Sequence, residues 1–262
     1  MTVSAILLAT AVTASSAAPA AASSLDAQHV YDNTALTTSL GNWEAEPIEV
    51  WLATQPVPRP FRANVVAHAG PMTAPTFIIL MEEGLYDSLG ASVMSEWMGD
   101  MVAQGYVVDA VEITYSTVQE VRGYLSDAYA QGLEGMVLIG DLPVPLSAFE
   151  WPGVSSEIFP SDYYFMDLDG TWEDNWIGYP SAQNPGSDGR FDTWSGSLDP
   201  EIFAARMQTS NLQGEEVDLL EAYLDRAHDW RQNGDPEPIT ALCYVDDDWA
   251  AWGPQYQSAM QM

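Results

Sequence analysis

One acid-rich loop gives the strongest chemical signal in the sequence. Its aspartates alternate with other residues around Gly170, and more aspartates follow a turn at residues 184–186. Because hard cations bind several oxygen atoms, this pattern predicts a calcium site, with an ordinary solvated loop as the alternative. The full spacing of a helix-loop-helix calcium motif is absent. The candidate ligands are Asp167, Asp169, Asp174, Asp188 and Asp192.

Cysteine and histidine chemistry has little support from the residues themselves. Cys243 is the only cysteine and lies inside the apolar run 239–245, which favours a buried structural thiol. His29, His68 and His228 are scattered without ligand spacing, so a zinc centre is not expected. The sequence also contains no serine elbow, phosphate loop or dinucleotide fingerprint.

Strands and helices alternate through the region that must position these residues. Continuous apolar runs predict buried strands at 76–81, 106–113 and 136–139, with a helical pattern in each interval between them. Either Ser116 or Thr117 can begin the second helix with a capping box. This order predicts an α/β fold with a doubly wound, mostly parallel sheet. A helix at 211–232 and a strand at 239–245 follow, and a sheet of this kind normally continues, so the domain is expected to be incomplete at its carboxyl end.

Acidic residues follow the predicted strands, where an α/β sheet binds its ligands. Asp141 comes directly after the third strand and is expected to cap a helix or bind an ion. Arg206 ends an apolar run, and we expect it to form a bidentate pair with a nearby acid. Asp162 is the third position singled out near this edge. A carboxylate-based hydrolase using Asp141 and Asp162 is one alternative, and solvated strand ends are another.

Composition divides the chain into three regions. Residues 1–24 are typical of a secretory signal peptide, so the protein is expected to be secreted or in the cell envelope. Residues 25–74 are interpreted as an extension, with short strands at 48–52 and 64–67, that pairs with the edge of the α/β domain at 75–262. No other stretch predicts a membrane span.

The chain is strongly acidic, with 38 acidic residues, seven basic ones and a formal net charge of −31. This balance argues against a nucleic-acid partner, because phosphate contacts need basic side chains. A surface adapted for solubility explains it most simply. A calcium requirement and a basic substrate are the more specific interpretations.

Three short motifs stand in a fixed order along the chain. Gly140 and Asp141 close a central strand. Asp162 and Tyr163 follow, and Arg206 then closes a strand ahead of a long helix. This order resembles the gingipain family of cysteine peptidases, whose fold is caspase-like. The family has a glycine before the final arginine, where this chain has an alanine.

The resemblance covers roughly residues 75–250 and implies a secreted endopeptidase, stabilised by calcium, that acts on proteins or peptides. Its mechanism would use a cysteine thiolate as nucleophile and a histidine as general acid and base. The family places a glycine after this histidine, and no His-Gly pair occurs here. We therefore expect both catalytic residues beyond Met262, which leaves this chain a fragment without catalytic residues. A catalytically silent, secreted module that binds calcium or another cation is the alternative.

Overall fold

The computed structural model describes residues 48–149, 157–175, 189–197, 199–210 and 212–234. The chain divides into two compact units, Met1–Ala53 and Thr54–Met262. Predictions for the signal peptide, for Asp188 and for the strand with Cys243 lie outside the described residues. The helices are α1 (Ile48–Thr54), α2 (Leu85–Leu89), α3 (Ala91–Ala103), α4 (Val118–Tyr129), α5 (Tyr163–Met166) and α6 (Glu216–Asn233). The strands are β1 (Ala63–Ala69), β2 (Phe77–Glu82), β3 (Val108–Ile113), β4 (Gly135–Ile139), β5 (Leu146–Phe149), β6 (Glu157–Pro160), β7 (Thr171–Glu173), β8 (Arg190–Phe191), β9 (Thr193–Ser195) and β10 (Phe203–Met207).

A five-stranded sheet forms the centre of the second unit. Its strands lie in the order β1, β3, β2, β4, β10. Strands β3, β2, β4 and β10 run parallel, and β1 pairs antiparallel with β3. The apolar runs predicted as strands are therefore confirmed as β2, β3 and β4. The expected pairing of the extension with the sheet edge is confirmed as β1.

Helices cover both faces of this sheet, which confirms the predicted α/β class. Alternate residues of β2 point to opposite faces, so Ile79 joins the core under α2, α3 and α6, while Leu80 joins the core under α4. Both side chains are fully buried. Burying a side chain of this size stabilises the fold by about 1.5–3 kcal/mol, which explains why β2 is apolar along almost its whole length.

The start of α4 shows how a local sequence signal fixes an element. Thr117 Oγ1 accepts a hydrogen bond from the Glu120 backbone N–H at 3.3 Å, and Glu120 Oε2 accepts one from the Thr117 N–H at 3.1 Å. This reciprocal pair is the capping box, so Thr117 rather than Ser116 begins the helix. The Ser116 hydroxyl is buried without a hydrogen-bond partner.

The strand expected at 48–52 is wrong, because these residues belong to α1. A short apolar run fits both helical and strand periodicity, and this one contains good helix formers such as Leu52 and Ala53. Two small sheets, β6-β5-β8 and β7-β9, were not predicted either. Among the described helices, none has the length and apolar character needed to cross a bilayer.

Candidate functional site

The carboxyl edge of the central sheet is held together by Asp141. This residue follows β4 and donates its backbone N–H to Glu82 Oε2, at the end of β2, at 2.7 Å. Its Oδ1 accepts hydrogen bonds from Ser210 Oγ at 2.7 Å and Gln208 Nε2 at 2.9 Å, just beyond β10. Asp141 therefore links the ends of three parallel strands. Gly140, with φ 86°, provides the left-handed turn that brings Asp141 into this position.

Glu82 is a half-buried carboxyl group at this edge, and its surroundings raise its pKa. Burial raises the pKa of Glu82, and the negative charges of Glu216 and Asp141 raise it further, while the hydrogen bond from the Asp141 N–H acts in the opposite direction. Glu82 therefore retains a proton to higher pH than an ordinary glutamic acid. A carboxyl group of this kind can exchange a proton with a ligand bound at the sheet edge.

Arg206 and Asp162 form the bidentate pair expected from the sequence. Arg206 Nε and Nη2 donate to the two Asp162 carboxylate oxygens, each at 2.8 Å. The same guanidinium donates to the backbone oxygens of Leu142 at 3.2 Å and Pro143 at 2.9 Å. Arg206 therefore fixes the chain that leaves β4 against the residue that begins α5. Only arginine has the planar fork needed to make all four bonds.

Neither described histidine lies at this edge. His68 on β1 contacts Asp109 Oδ1 at 2.6 Å, and Asp109 is near the amino end of β3. His228 on α6 contacts Asp100 on α3 at 2.9 Å. In both cases the hydrogen bond to aspartate raises the pKa of the histidine and favours the charged form. Both residues thus make ion pairs between elements. Cys243 lies outside the described residues, so its surroundings are not described.

The acid-rich loop is built around the buried carboxylate of Asp167. Its Oδ1 accepts the Gly170 N–H at 2.8 Å, and its Oδ2 accepts the Trp172 indole N–H at 2.9 Å. Arg122 on α4 donates to the backbone oxygens of Asp167 at 2.6 Å and Gly170 at 2.7 Å. A Cβ on Gly170 would overlap the Asp167 carboxylate, so the loop requires glycine there.

Asp167, Asp169 and Glu201 form an acidic group that can hold a metal ion. Each offers a carboxylate oxygen, and these oxygens lie within 4.8 Å of one another. Glu201 Oε2 also accepts the N–H groups of Leu168 at 2.6 Å and Asp169 at 3.2 Å. Loss of solvation raises the pKa of Asp169, and the charges of Glu201 and Asp167 raise it further. A bound cation would relieve this repulsion.

Glu201 was not among the predicted ligands, because more than thirty residues separate it from the loop in sequence. It reaches the loop through the fold, since the Glu201 N–H donates to the Met166 backbone oxygen at 3.0 Å. The only sequence signal was its position just before the apolar run that forms β10. A ligand contributed by a distant element cannot be read from local spacing.

Asp174 and Asp192 make other contacts. Asp174 Oδ2 accepts the Gly189 N–H at 2.7 Å, and Asp192 Oδ1 accepts the Thr193 hydroxyl at 3.0 Å. Within the described residues, the metal-binding group of three or more side chains does not include them. The five-aspartate site stays a prediction, because Asp188 lies outside those residues.

Known proteins give no direct guide to this site. No protein-family model, curated protein or solved structure matches the chain. Functional inference therefore depends on the residues and geometry described above.

Proposed function

We propose that this chain is the amino-terminal part of a secreted cysteine endopeptidase of gingipain type with a caspase-like fold. The observation that carries the proposal is the bidentate pair between Arg206 and Asp162. This pair joins two of the three motifs that resemble the family, and Asp141 of the remaining motif lies at the same carboxyl edge. The mostly parallel sheet with helices on both faces is compatible with that fold.

The residues of this chain would shape one wall of the substrate site. Arg206 would keep the loop after β4 rigid, and Glu82 and Asp141 would supply negative charge beside it. An acidic wall attracts cationic substrates, so basic peptides are the favoured substrate class. The nucleophilic thiolate and its histidine would come from residues beyond Met262, as the resemblance implies.

The decisive experiment is to read the coding sequence past the codon for Met262. We expect a His-Gly pair, followed by a cysteine after two more strand-like runs. The longer protein should then cleave peptides and lose this activity when that cysteine is changed to alanine. A stop codon without these residues, or cleavage that survives the substitution, would contradict the proposal.

A cation-binding role has independent support from the acidic group of Asp167, Asp169 and Glu201. Its three carboxylates are hard oxygen ligands, which suit calcium better than zinc or copper. Calcium bound there would stabilise the fold, whether or not the longer protein is a peptidase. If the peptidase prediction fails, a catalytically silent calcium-binding module is the function that this group supports.

Thermal unfolding in a calcium titration tests this role. Calcium should raise the melting temperature, because binding at a hundredfold excess over Kd adds about 2.7 kcal/mol of stability. Asp169→Asn should abolish the increase, and Asp192→Asn is the matched control that should leave it intact. If Asp192→Asn abolished the increase and Asp169→Asn did not, the calcium site would belong to the loop of Asp174 and Asp192. If calcium did not change the melting temperature of the unsubstituted chain, the proposed calcium site would be ruled out.

A further inference from the structure

One flank of α6 combines exposed aromatic rings with arginines that have no acidic partner among the residues the structure describes. Tyr223 and Trp230 are 54% and 59% exposed. With Arg226, Ala227 and Arg231 they line a cavity of about 440 Å³. We define these five residues as the α6 flank. Because large aromatic side chains strongly favour burial, a flank of this composition is typical of a contact surface.

The arginines of the flank are unusual in so acidic a chain. The protein has seven arginines, no lysine and 38 acidic residues. Arg206, Arg59 and Arg62 all pair with carboxylates. Within the described residues, Arg226 has no hydrogen bond or ion pair, and Arg231 donates only to the Ala227 backbone oxygen of its own helix at 3.0 Å. The flank therefore presents positive charge and apolar surface together.

Residues 235–262, which follow α6 directly, have the complementary composition. They contain five acidic residues and no Lys, Arg or His. Three of the acids form the run Asp246, Asp247 and Asp248, and Trp249 and Trp252 come next. Carboxylates can pair with the guanidinium groups, and indole rings can pack against Tyr223 and Trp230.

The chain is long enough to make this contact with its own helix. Eleven residues separate Gly234 from Asp246, and an extended chain of that length reaches at most about 40 Å. The flank is short by comparison, since Tyr223 and Trp230 are about 10 Å apart along the helix axis. A tethered segment has an effective concentration in the millimolar range, so even weak contacts would keep it bound.

We propose that residues 246–252 of this chain dock on the α6 flank and cover its aromatic rings. The occupant is thus an acidic, tryptophan-containing segment of the same molecule. The docked segment would connect α6 to the part of the chain that follows. This inference is independent of the proposed peptidase activity.

Cys243 provides a direct test, because it is the only thiol and lies three residues before Asp246. The rate of its reaction with a thiol reagent in the 262-residue chain is the reference value, because the strand predicted at 239–245 would lower this rate with or without docking. Arg226→Gln and Trp230→Ala should each raise this rate about five-fold, since each removes part of the docking surface. Tyr129→Ala is the control, because Tyr129 is an exposed aromatic residue on α4 and its loss should leave the rate unchanged.

A combined variant separates docking from general loosening of the fold. Changing Asp246, Asp247 and Asp248 together to Asn should speed labelling as much as Arg226→Gln does. Adding Arg226→Gln to that triple variant should then have no further effect, because both changes remove the same contact. If the labelling rate of the combined variant rose by the product of the increases seen with Arg226→Gln and with the triple variant, the two changes would act independently and the proposal would be overturned. Unchanged labelling in the flank variants would also overturn it, as would protection that increases with protein concentration, which would assign the flank to a second copy.

Discussion

At the scale of single residues, Asp167 and Gly170 show that the acid-rich loop is a built structure. The carboxylate receives two hydrogen bonds, and Gly170 lies so close that a side chain would overlap it. The same residues that suggest a cation site therefore also hold the loop in shape. Alternation of aspartates in the sequence could not distinguish these two roles, because both use carboxylate oxygens at short spacing.

Gly170→Ala should destabilise the protein by about 1–3 kcal/mol, because the new methyl group must displace the Asp167 carboxylate. The measurement is the free energy of unfolding from urea denaturation. Gly123→Ala is a matched control, since Gly123 lies in α4 and a Cβ there meets nothing within 4 Å. This control should stabilise the chain by about 0.5–1 kcal/mol through helix propensity. Equal effects at both positions would show that the Gly170 contact is unimportant.

At the scale of elements, the capping box is the clearest link between sequence and structure. Thr117→Ala should cost about 1 kcal/mol of stability, because the Glu120 N–H loses its acceptor. Ser116→Ala should change stability by less than about 0.5 kcal/mol, because its hydroxyl has no partner to lose. Thermal unfolding of the two variants measures the difference. A larger effect at Ser116 would mean that the helix begins one residue earlier.

The ion pair between α3 and α6 should make stability depend on pH. The hydrogen bond to Asp100 raises the pKa of His228 above 6.5, with smaller contributions from Glu96 and Asp229 and an opposing effect of burial. A raised pKa in the folded state stabilises the protein fully below the ordinary value. This stability is lost as the pH rises through the folded value. We therefore expect stability to fall from mildly acidic to alkaline pH.

Denaturation across this pH range, with His228→Gln as the variant, measures the effect. The His228→Gln variant should lose the part of the pH-dependent stability that comes from His228. The part that comes from His68 should remain, because the hydrogen bond to Asp109 also raises the pKa of His68. A matched His68→Gln variant should retain the part due to His228. Identical pH profiles for the unsubstituted chain and His228→Gln would contradict the prediction.

Sequence patterns predicted elements well where both faces are buried. Strands β2 and β4 are apolar along nearly their whole length because helices cover both sides, so the pattern is unambiguous. Helix α1 was wrongly predicted as a strand, because a seven-residue segment is too short for its apolar residues to distinguish the helical period of 3.6 from the strand period of 2. The strands β7 and β9 depend on pairing with each other, and nothing in either three-residue segment specifies it.

At the scale of the whole molecule, the net charge of −31 is the dominant property. Repulsion between like charges disfavours the compact state, and salt screens it over a Debye length of about 10 Å at 0.1 M. The melting temperature should therefore rise as sodium chloride is added from low ionic strength. Sodium sulfate at matched ionic strength is a useful comparison, because it also strengthens hydrophobic burial. A melting temperature that falls with added sodium chloride would show that favourable ion pairs outweigh the repulsion.

The irregularity in β1 affects how the protein behaves in crowded solution. Its pairing with β3 shifts register between Val65 and Ala67, so Val66 has no partner in the ladder. The unpaired backbone N–H and C=O groups of a regular edge strand can form hydrogen bonds with a strand of another molecule. A bulge interrupts the regular spacing of these groups and so disfavours such pairing. The bulge therefore protects this edge from aggregation at a point where the exposed Val65 would otherwise favour it.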